Sequence, residues 1–237
     1  EITMEKLKKA LYQEFVAGHT WFDYVFLLTG IVLQIVVFIL FPKEPINVVS
    51  GIAGILCVVL GAQGKISNFV FGLIQVSTYI YLSISAKLYG QVGINLFYLA
   101  TTLYGIYAWK KQYKVDQESE AASINTRKLT IPALLGMIAT VILACFALGW
   151  GLQTWSDDSQ PYLDAFTTVP AIAAQILMVM RYRDQWYLWL AIDVFGTAMW
   201  IAQGNYCMAA MYAFWCANCI YGLYNWTRQI KDDAPEK

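Results

Sequence analysis

One carboxylate lies where the sequence is otherwise apolar. Asp193 falls inside a long apolar run, and Trp186 and Trp189 precede it by seven and four residues. This spacing places the three side chains on one face of a helix. A charge at the centre of a membrane helix costs roughly 2.5–3.5 kcal/mol on insertion scales, so it faces the protein interior or a wet cavity. The pattern predicts a cavity with aromatic walls and one anionic group, which suits a planar cationic ligand bearing hydroxyls.

Further polar side chains lie on the neighbouring apolar segments. Taken alone, an amide or a hydroxyl in a membrane helix can simply bond one helix to another. Together with the acid and the indoles, these side chains describe a site rich in hydrogen-bond partners. The predicted substrate-binding residues are therefore Gln75, Asn95, Tyr98, Trp186, Trp189, Asp193, Asn218 and Tyr221.

The sequence offers no arrangement of residues that is typical of catalysis or metal binding. There is no HExxH motif and no nucleophile paired with a base. Cys216 and Cys219 have CxxC spacing, yet they lie in an apolar run without a second pair. The formal net charge is zero, so nothing suggests nucleic acid, whose recognition needs a basic patch that follows the phosphates. We therefore expect no enzyme activity, no metal or cofactor, and no nucleic-acid partner.

The composition is typical of a protein that spans a membrane. Of the 237 residues, 59% are hydrophobic and 14% are charged. The apolar residues form successive runs close to the roughly 20 residues that a helix needs to cross a bilayer. We predict an all-α polytopic membrane protein with eight transmembrane helices, near residues 22–41, 47–63, 67–86, 88–109, 129–152, 164–180, 185–204 and 206–227.

Lysine and arginine are distributed unevenly between the two sides of these predicted helices. Fourteen of the 16 lie on the side of the N-terminus, and the other side has only Lys43 and Lys87. Loops rich in lysine and arginine stay in the cytoplasm during insertion. We therefore predict that both termini are cytoplasmic, which requires an even number of crossings.

The sequence also repeats itself at a shift of 117 residues. The motif Tyr-Gly-x-Tyr-x-Trp that begins at Tyr104 recurs at Tyr221, and the register continues without gaps back to Leu73, which falls on Leu190. We interpret the second to fourth and the sixth to eighth predicted helices as duplicated units. Because each unit has three helices, one linking helix is needed between them. This predicts parallel units with a substrate site near the membrane midplane between them.

The repeat divides the chain into five segments. The first begins with Met4, Leu7, Leu11 and Phe15 at helical spacing opposite three lysines, a pattern typical of helices that lie on a membrane surface. The predicted segments are residues 1–46 (this amphipathic stretch and an extra membrane helix), 47–112 (the first unit), 113–160 (a cytoplasmic loop and the linking helix), 161–230 (the second unit) and 231–237 (a cytoplasmic tail).

These motifs resemble the PnuC family of bacterial nicotinamide riboside transporters. The likeness lies in a Trp-x-x-Trp pair followed by Asp193, an Asn-x-x-Tyr pair that begins at Asn218, and the repeated Tyr-Gly-x-Tyr-x-Trp, and it covers roughly residues 47–229. The resemblance implies a SWEET-like fold of 3+1+3 helices, a homotrimer and a location in the bacterial inner membrane. It also implies uptake of nicotinamide riboside by facilitated diffusion, made one-way by a cytoplasmic kinase that traps the riboside.

The resemblance assigns roles to the predicted site residues. Nicotinamide riboside has a pyridinium ring, a carboxamide and a ribose. The two indoles would flank the ring, Asp193 would offset its charge or bind ribose, and Asn218 and Tyr221 would form hydrogen bonds. The first unit has Phe69 and Gly72 in the positions of the tryptophans, so the site is expected to be asymmetric.

Other functions fit parts of the same pattern. Relatives of similar build carry thiamine or riboflavin, and the motifs separate these substrates poorly. A proton-coupled transporter would use Asp193 as its proton carrier. A structural or receptor protein would bind a partner through its helices, but it would have no use for a carboxylate at the membrane midplane.

Overall fold

The computed structural model describes residues 4–42, 44–85, 89–115, 122–156 and 160–232. Within these ranges the chain forms nine helices and one small antiparallel sheet. The elements in chain order are α1 (Met4–Phe15), α2 (Trp21–Leu40), α3 (Pro45–Ala62), α4 (Asn68–Ser85), α5 (Tyr89–Lys110), β1 (Tyr113–Val115), β2 (Ala122–Ile124), α6 (Ile131–Trp155), α7 (Pro161–Val179), α8 (Gln185–Ala202) and α9 (Tyr206–Asp232).

The helices α2 to α9 coincide with the eight apolar segments of the sequence, and their ends lie within about five residues of the predicted ones. Proline begins several of them, because its missing N–H would have no helical partner in the first turn. Pro45 opens α3 and Pro161 opens α7. Five helices of the described ranges, namely α2, α3, α4, α6 and α7, are long and apolar enough to cross a membrane. The chain is therefore an all-α protein with several candidate membrane spans.

The chain divides into two compact units. The first comprises Glu1–Asn125 together with Tyr224–Lys237, and the second comprises Thr126–Leu223. Within the first unit α3 packs against α2 and α4, and α4 packs against α5. Within the second unit α7 packs against α6 and α8. The long helix α9 contributes its main part to the second unit and its last turns to the first.

The turn after the first helix of each predicted repeat has the same backbone conformation. Gly64 and Arg181, which are 117 residues apart, both have positive φ, at 73° and 67°. The following residue closes the helix end in each case: the N–H of Lys65 bonds the carbonyl of Leu60 at 2.9 Å, and that of Tyr182 bonds Leu177 at 2.8 Å. Only glycine adopts this conformation without strain, so Arg181 is held there by its surroundings.

A second pair of equivalent contacts joins the middle and last helices of each predicted repeat. In the first unit the ring of Phe69 lies against Gly105, where a Cβ would collide with it. In the second unit the indole of Trp186 lies against Gly222 in the same way. Both pairs are related by the shift of 117 residues. Glycine is therefore required in the Tyr-Gly-x-Tyr-x-Trp motif because a ring occupies the space of a side chain.

The last turns of α9 close the C-terminal end of α3. The indole Nε1 of Trp226 donates to the carbonyl of Gly61 at 3.0 Å, and the Asn225 amide donates to the carbonyl of Ala62 at 3.3 Å. Carbonyls in the last turn of a helix lack partners further along the same helix. That of Gly61 also accepts from the N–H of Gly64 at 3.0 Å, and the two side chains of α9 supply additional donors. Trp226 is fully buried, and its ring centroid lies 5.7 Å from that of Trp109. The tryptophan of the repeated motif therefore serves packing and capping.

The segment after α5 contains a feature that the sequence did not predict. Strands β1 and β2 pair antiparallel, with Tyr113 opposite Ile124. Ile124 is buried, and its N–H bonds the carbonyl of Gly64 at 3.0 Å. Strands of three residues show no usable periodicity, so only a loop was expected here.

The amphipathic N-terminal helix is attached to the turn between α3 and α4. The carboxylate of Glu14 is buried and accepts hydrogen bonds from the backbone N–H of Ser67 at 2.7 Å and from the hydroxyl of Tyr113. The Lys65 ammonium donates to the carbonyl of Gln13 at 3.2 Å. Burial of the Lys65 ammonium lowers its pKa, and the charge of Glu14 partly opposes this shift.

Candidate functional site

The predicted anionic residue is buried between two helices of the second unit. Asp193 lies in the middle of α8, and its side chain is 7% exposed. Its carboxylate oxygen Oδ2 accepts a hydrogen bond from the thiol of Cys219 on α9, with Sγ at 3.4 Å. Within the described part of the chain, Asp193 forms no ion pair. A thiol is a weak donor, so the described protein groups leave the charge of the carboxylate uncompensated.

A second contact between the same helices lies one turn further along. The Thr197 hydroxyl bonds the backbone carbonyl of Asp193 at 2.7 Å, and its oxygen lies 3.9 Å from the sulfur of Cys216. The two cysteines of the CxxC sequence therefore each meet a polar group of α8. Among the described residues no cluster suits a metal ion, and both cysteines are free thiols. In this protein the two cysteines of the CxxC sequence therefore connect α9 to α8.

The two tryptophans of the predicted site differ in their surroundings. Trp186 is 5% exposed and its indole fills the space beside Gly222, where a Cβ would come within 2.5 Å of two ring atoms. Trp189 lies one turn deeper in α8 and is half-buried. Trp186 is thus fixed by packing, whereas Trp189 keeps part of its surface available to a ligand.

Two polar residues of α9, Asn218 and Tyr221, lie within two positions of Cys219 in the sequence. Asn218 is buried and Tyr221 is half-buried. The spacing of three residues places these two side chains on one face of α9, whereas Cys219, one residue after Asn218, is turned about 100° away from it. A buried amide keeps its hydrogen-bonding groups satisfied, either by protein or by a bound polar ligand. The second unit thus supplies Trp189, Asp193, Asn218 and Tyr221 as a polar and aromatic set.

The remaining predicted site residues belong to the first unit. The Gln75 amide lies against Gly54, so that a Cβ at this glycine would be 2.7 Å from Nε2. Asn95 is buried and Tyr98 is half-buried on α5. None of these three side chains is fully exposed. Their participation in one site with the residues of the second unit remains a prediction.

The sequence did not single out Cys219 as a site residue. Its contact with Asp193 joins positions 26 residues apart on different helices. The sequence drew attention to Asp193 and to the CxxC cysteines separately. Their contact depends on how α8 and α9 pack against each other, which no local sequence pattern specifies.

A surface depression among the described residues has none of these side chains in its lining. It is shallow, lies along the exposed side of α2 and has a volume of about 460 Å³. Its lining is apolar apart from one hydroxyl, which suits lipid chains and offers nothing to orient a polar substrate. The lining residues are Trp21, Val25, Leu28, Thr29, Val32, Leu33 and Val36.

Comparison with known proteins places similarity over nearly the whole chain. The family described as "Nicotinamide mononucleotide transporter" matches residues 44–228. The nicotinamide riboside transporter PnuC of Neisseria mucosa is 35% identical over 227 residues, covering 92% of this chain and 86% of that protein. The crystal structure of the vitamin B3 transporter PnuC matches with a TM-score of 0.80 and 32% identity, covering 98% of this chain and 100% of that one.

A relative with a different printed substrate is also similar. The riboflavin/roseoflavin transporter RibM of Streptomyces davaonensis is 24% identical over 206 residues, covering 84% of this chain and 93% of that protein. The same build therefore occurs in proteins named for different vitamins, and the chemistry of the site must decide between substrates.

Proposed function

Because this chain belongs to the nicotinamide mononucleotide transporter family, which includes the PnuC proteins, we propose that it carries nicotinamide riboside across the bacterial inner membrane. Members of this family are membrane transporters, so the chain is an integral membrane protein and not an enzyme. The observation that carries the proposal is the similarity to a nicotinamide riboside transporter along nearly the whole of both chains.

The charge of the site favours the riboside over the mononucleotide that gives the family its description. Nicotinamide riboside carries one positive charge on its pyridinium ring. The mononucleotide adds a phosphate, which makes it a net anion at neutral pH. Asp193 is buried with no cation bonded to it among the described residues, so it attracts the first ligand and repels the second.

We propose for the individual residues the roles that the family resemblance implies. Trp189, which is half-buried, stacks on the pyridinium ring, and a desolvated cation over an indole gains about 2 kcal/mol. Asp193 offsets the charge, and Asn218 and Tyr221 bond the carboxamide and the ribose. Trp186 shapes the wall behind them. From the first unit we propose that three polar side chains contribute further hydrogen bonds, namely Gln75, Asn95 and Tyr98.

We further propose that all eight long helices cross the membrane, in a SWEET-like arrangement of one N-terminal extra helix and 3+1+3 helices. The equivalent turns at Gly64 and Arg181 support a duplicated unit, and so do the equivalent contacts of Phe69 and Trp186 with glycine. Both termini are cytoplasmic in this proposal, and three copies form a homotrimer, as the family resemblance implies. Mass photometry of the purified protein in detergent tests the trimer.

The proposed function is tested by flux into liposomes that contain the purified protein. We expect labelled nicotinamide riboside to enter down its gradient without an added energy source and to exchange with unlabelled riboside inside. Nicotinamide mononucleotide should neither enter nor compete. Failure of the riboside to enter, with an intact and folded protein, would contradict the proposal.

Riboflavin and thiamine are the competing substrates. The similarity to a riboflavin transporter favours the first, but riboflavin is uncharged at neutral pH and gains nothing from Asp193. Thiamine carries a cationic ring and is the more demanding control. We expect excess thiamine or riboflavin to leave riboside uptake unchanged, and strong inhibition by either would reassign the substrate.

Proton coupling is the competing mechanism. In that case Asp193 would carry the proton, so the variant D193N would lose accumulation against a gradient but keep exchange. Under facilitated diffusion, a pH-sensitive dye inside the liposomes should record no proton entry with the riboside. Proton entry in proportion to riboside uptake would establish the symporter instead.

A further inference from the structure

Asp193 and Cys219 form a pair that connects α8 and α9 within the second unit. The sulfur of Cys219 lies 3.4 Å from Oδ2 of Asp193, and both side chains are buried. No described residue bonds the other carboxylate oxygen, Oδ1. One turn away, the Thr197 hydroxyl contacts the sulfur of Cys216. The same hydroxyl bonds the backbone carbonyl of Asp193 and leaves its carboxylate untouched.

The equivalent pair in the first unit is different in kind. At a shift of 117 residues, Val76 takes the place of Asp193 and Thr102 the place of Cys219. The Thr197 and Cys216 pair is likewise replaced by Ile80 and Leu99. The two units share their turns and their packing on glycine, but only the second has a carboxylate in this seam. The acid and the thiol that bonds it therefore occur together in the second unit, whereas the first unit has neither at the equivalent positions.

We propose that Cys219 is a positioning residue for substrate binding, which orients the carboxylate of Asp193 without neutralising it. The inference rests on the proposed function. The S–H group donates to Oδ2 and so fixes the plane of the carboxylate, which leaves Oδ1 for the cationic substrate. A lysine or arginine in the place of Cys219 would also orient the acid, but it would cancel the charge that attracts the ligand.

The test compares three variants of the full-length purified protein by calorimetric titration with nicotinamide riboside. C219A removes the donor and should weaken binding about three- to tenfold, the effect of losing one ordinary hydrogen bond, because a thiol is a weak donor even to a carboxylate. C219S keeps a donor and should bind within about twofold of the native protein. C216A is the matched control, because it removes a thiol one turn away on the same helix, and it should also remain within about twofold.

A double-mutant cycle shows whether Cys219 acts through the acid. In the background of D193N, the further change C219A should alter affinity less than twofold, because the charged group that it orients is gone. Equal losses from C219A in both backgrounds would overturn the inference, since they would indicate a general packing role. If C219A does not fold, C219V provides the same comparison with a side chain of fuller volume.

The remaining outcomes separate this inference from the proposed function. If the native protein does not bind the riboside, the proposed function fails and this inference fails with it. If the native protein binds and C219A binds equally well, only the positioning role is overturned. Equal losses in C219A and C219S also overturn it, because the serine hydroxyl retains the hydrogen bond.

Discussion

Asp193 shows how much a single residue demands of its surroundings in a membrane helix. Its burial removes water from a carboxylate, and the described contacts return only one weak hydrogen bond, from Cys219. An isolated buried charge is costly unless it is paired. A binding site that receives a cation resolves this cost each time the substrate enters. The acid is therefore better explained by its ligand than by its contribution to folding.

The first prediction concerns the variant D193N. The amide keeps the size of the side chain but removes the charge that faces the pyridinium. We expect the affinity for nicotinamide riboside to fall by about 30-fold or more, the effect of the roughly 2 kcal/mol or more that is typical of losing a buried charge partner. Calorimetric titration of the purified protein measures this. The same change at Asp164, an exposed carboxylate on α7, is the control and should alter affinity less than twofold.

The second prediction concerns Gly222, beside the indole of Trp186. A methyl group at this position would come within 2.5 Å of ring atoms Cε2 and Cζ2. G222A should therefore destabilise the protein by about 1–3 kcal/mol, as is usual when a packed interior is overfilled. The unfolding temperature in detergent, followed by intrinsic fluorescence, should fall by several degrees.

Gly93 is the matched control for that substitution. A Cβ at Gly93 on α5 meets no atom within 4 Å. G93A should leave the unfolding temperature unchanged or raise it slightly, because alanine favours a helix by about 0.5–1 kcal/mol over glycine. If G222A is as stable as G93A, the ring of Trp186 moves freely and is not fixed by packing.

At this scale the sequence predicts residue types and depth better than it predicts contacts. Helical spacing predicted that Asp193, Asn218 and Trp189 face the protein interior, because polar residues in an apolar helix avoid lipid. The thiol of Cys219 as the partner of the acid was not predicted. The side chain of α9 that contacts Asp193 depends on the relative rotation and axial position of α8 and α9. A shift of one residue between these helices would bring a different side chain next to the acid.

Among the elements, α1 is attached through groups whose titration makes the attachment depend on pH. The hydroxyl of Tyr113 donates to the buried carboxylate of Glu14, and burial together with the charge of Glu14 raises the pKa of Tyr113 above its ordinary value of 10. The phenol is therefore protonated when α1 is attached, and it can ionise near pH 10 when α1 is released. Attachment is constant below that pH and weakens above it, by up to about 1.4 kcal/mol per pH unit.

The third prediction follows from this sign. A spin label on the exposed Lys9, introduced as K9C, should become more mobile as the pH rises above 10. In Y113F the label should be somewhat more mobile at all pH values, because one hydrogen bond is lost, and the gain in mobility that Tyr113 causes above pH 10 should be absent. Burial lowers the pKa of Lys65, so the loss of its proton at high pH favours attachment in both proteins and cannot produce that gain. An unchanged pH step in Y113F would mean that another group controls the attachment.

The helices themselves were accessible from the sequence, because apolar runs of nearly 20 residues separated by proline and charged loops allow little else. The hairpin of β1 and β2 was missed, since strands of three residues carry almost no pattern. The capping of α3 by Trp226 was also missed. It joins residues 165 positions apart, and such a contact exists only once the helices have assembled.

For the molecule as a whole, the departures from symmetry are as informative as the repeat. Turns, helix ends and aromatic contacts with glycine recur at the shift of 117 residues. The carboxylate, the CxxC sequence and the tryptophan pair occur once. The shared features are those that a three-helix unit needs to fold, and the unshared ones are polar and lie on α8 and α9. We therefore expect the second unit to supply the anionic and aromatic part of the proposed binding site.

The last prediction decides how many helices cross the membrane. Hydropathy and length select α2, α3, α4, α6 and α7. The other three long helices carry most of the predicted site, including Asn95 on α5, Asp193 on α8 and Asn218 on α9, and polar residues lower the mean hydropathy of any helix that lines a site. With the N-terminus in the cytoplasm, eight crossings place the segment after Ser156 outside and the C-terminus inside. Five crossings would reverse both locations.

Two reporters in a bacterial host distinguish these topologies. Alkaline phosphatase is active only outside the cytoplasm, and green fluorescent protein folds in the cytoplasm. We expect phosphatase fused after Ser156 to be active, phosphatase fused at the C-terminus to be inactive, and a C-terminal fluorescent fusion to emit. The excess of lysine and arginine on one side, fourteen against two, favours this orientation. The reversed pattern at both positions would remove α5, α8 and α9 from the membrane, and with them the midplane position of Asp193 on which substrate binding depends.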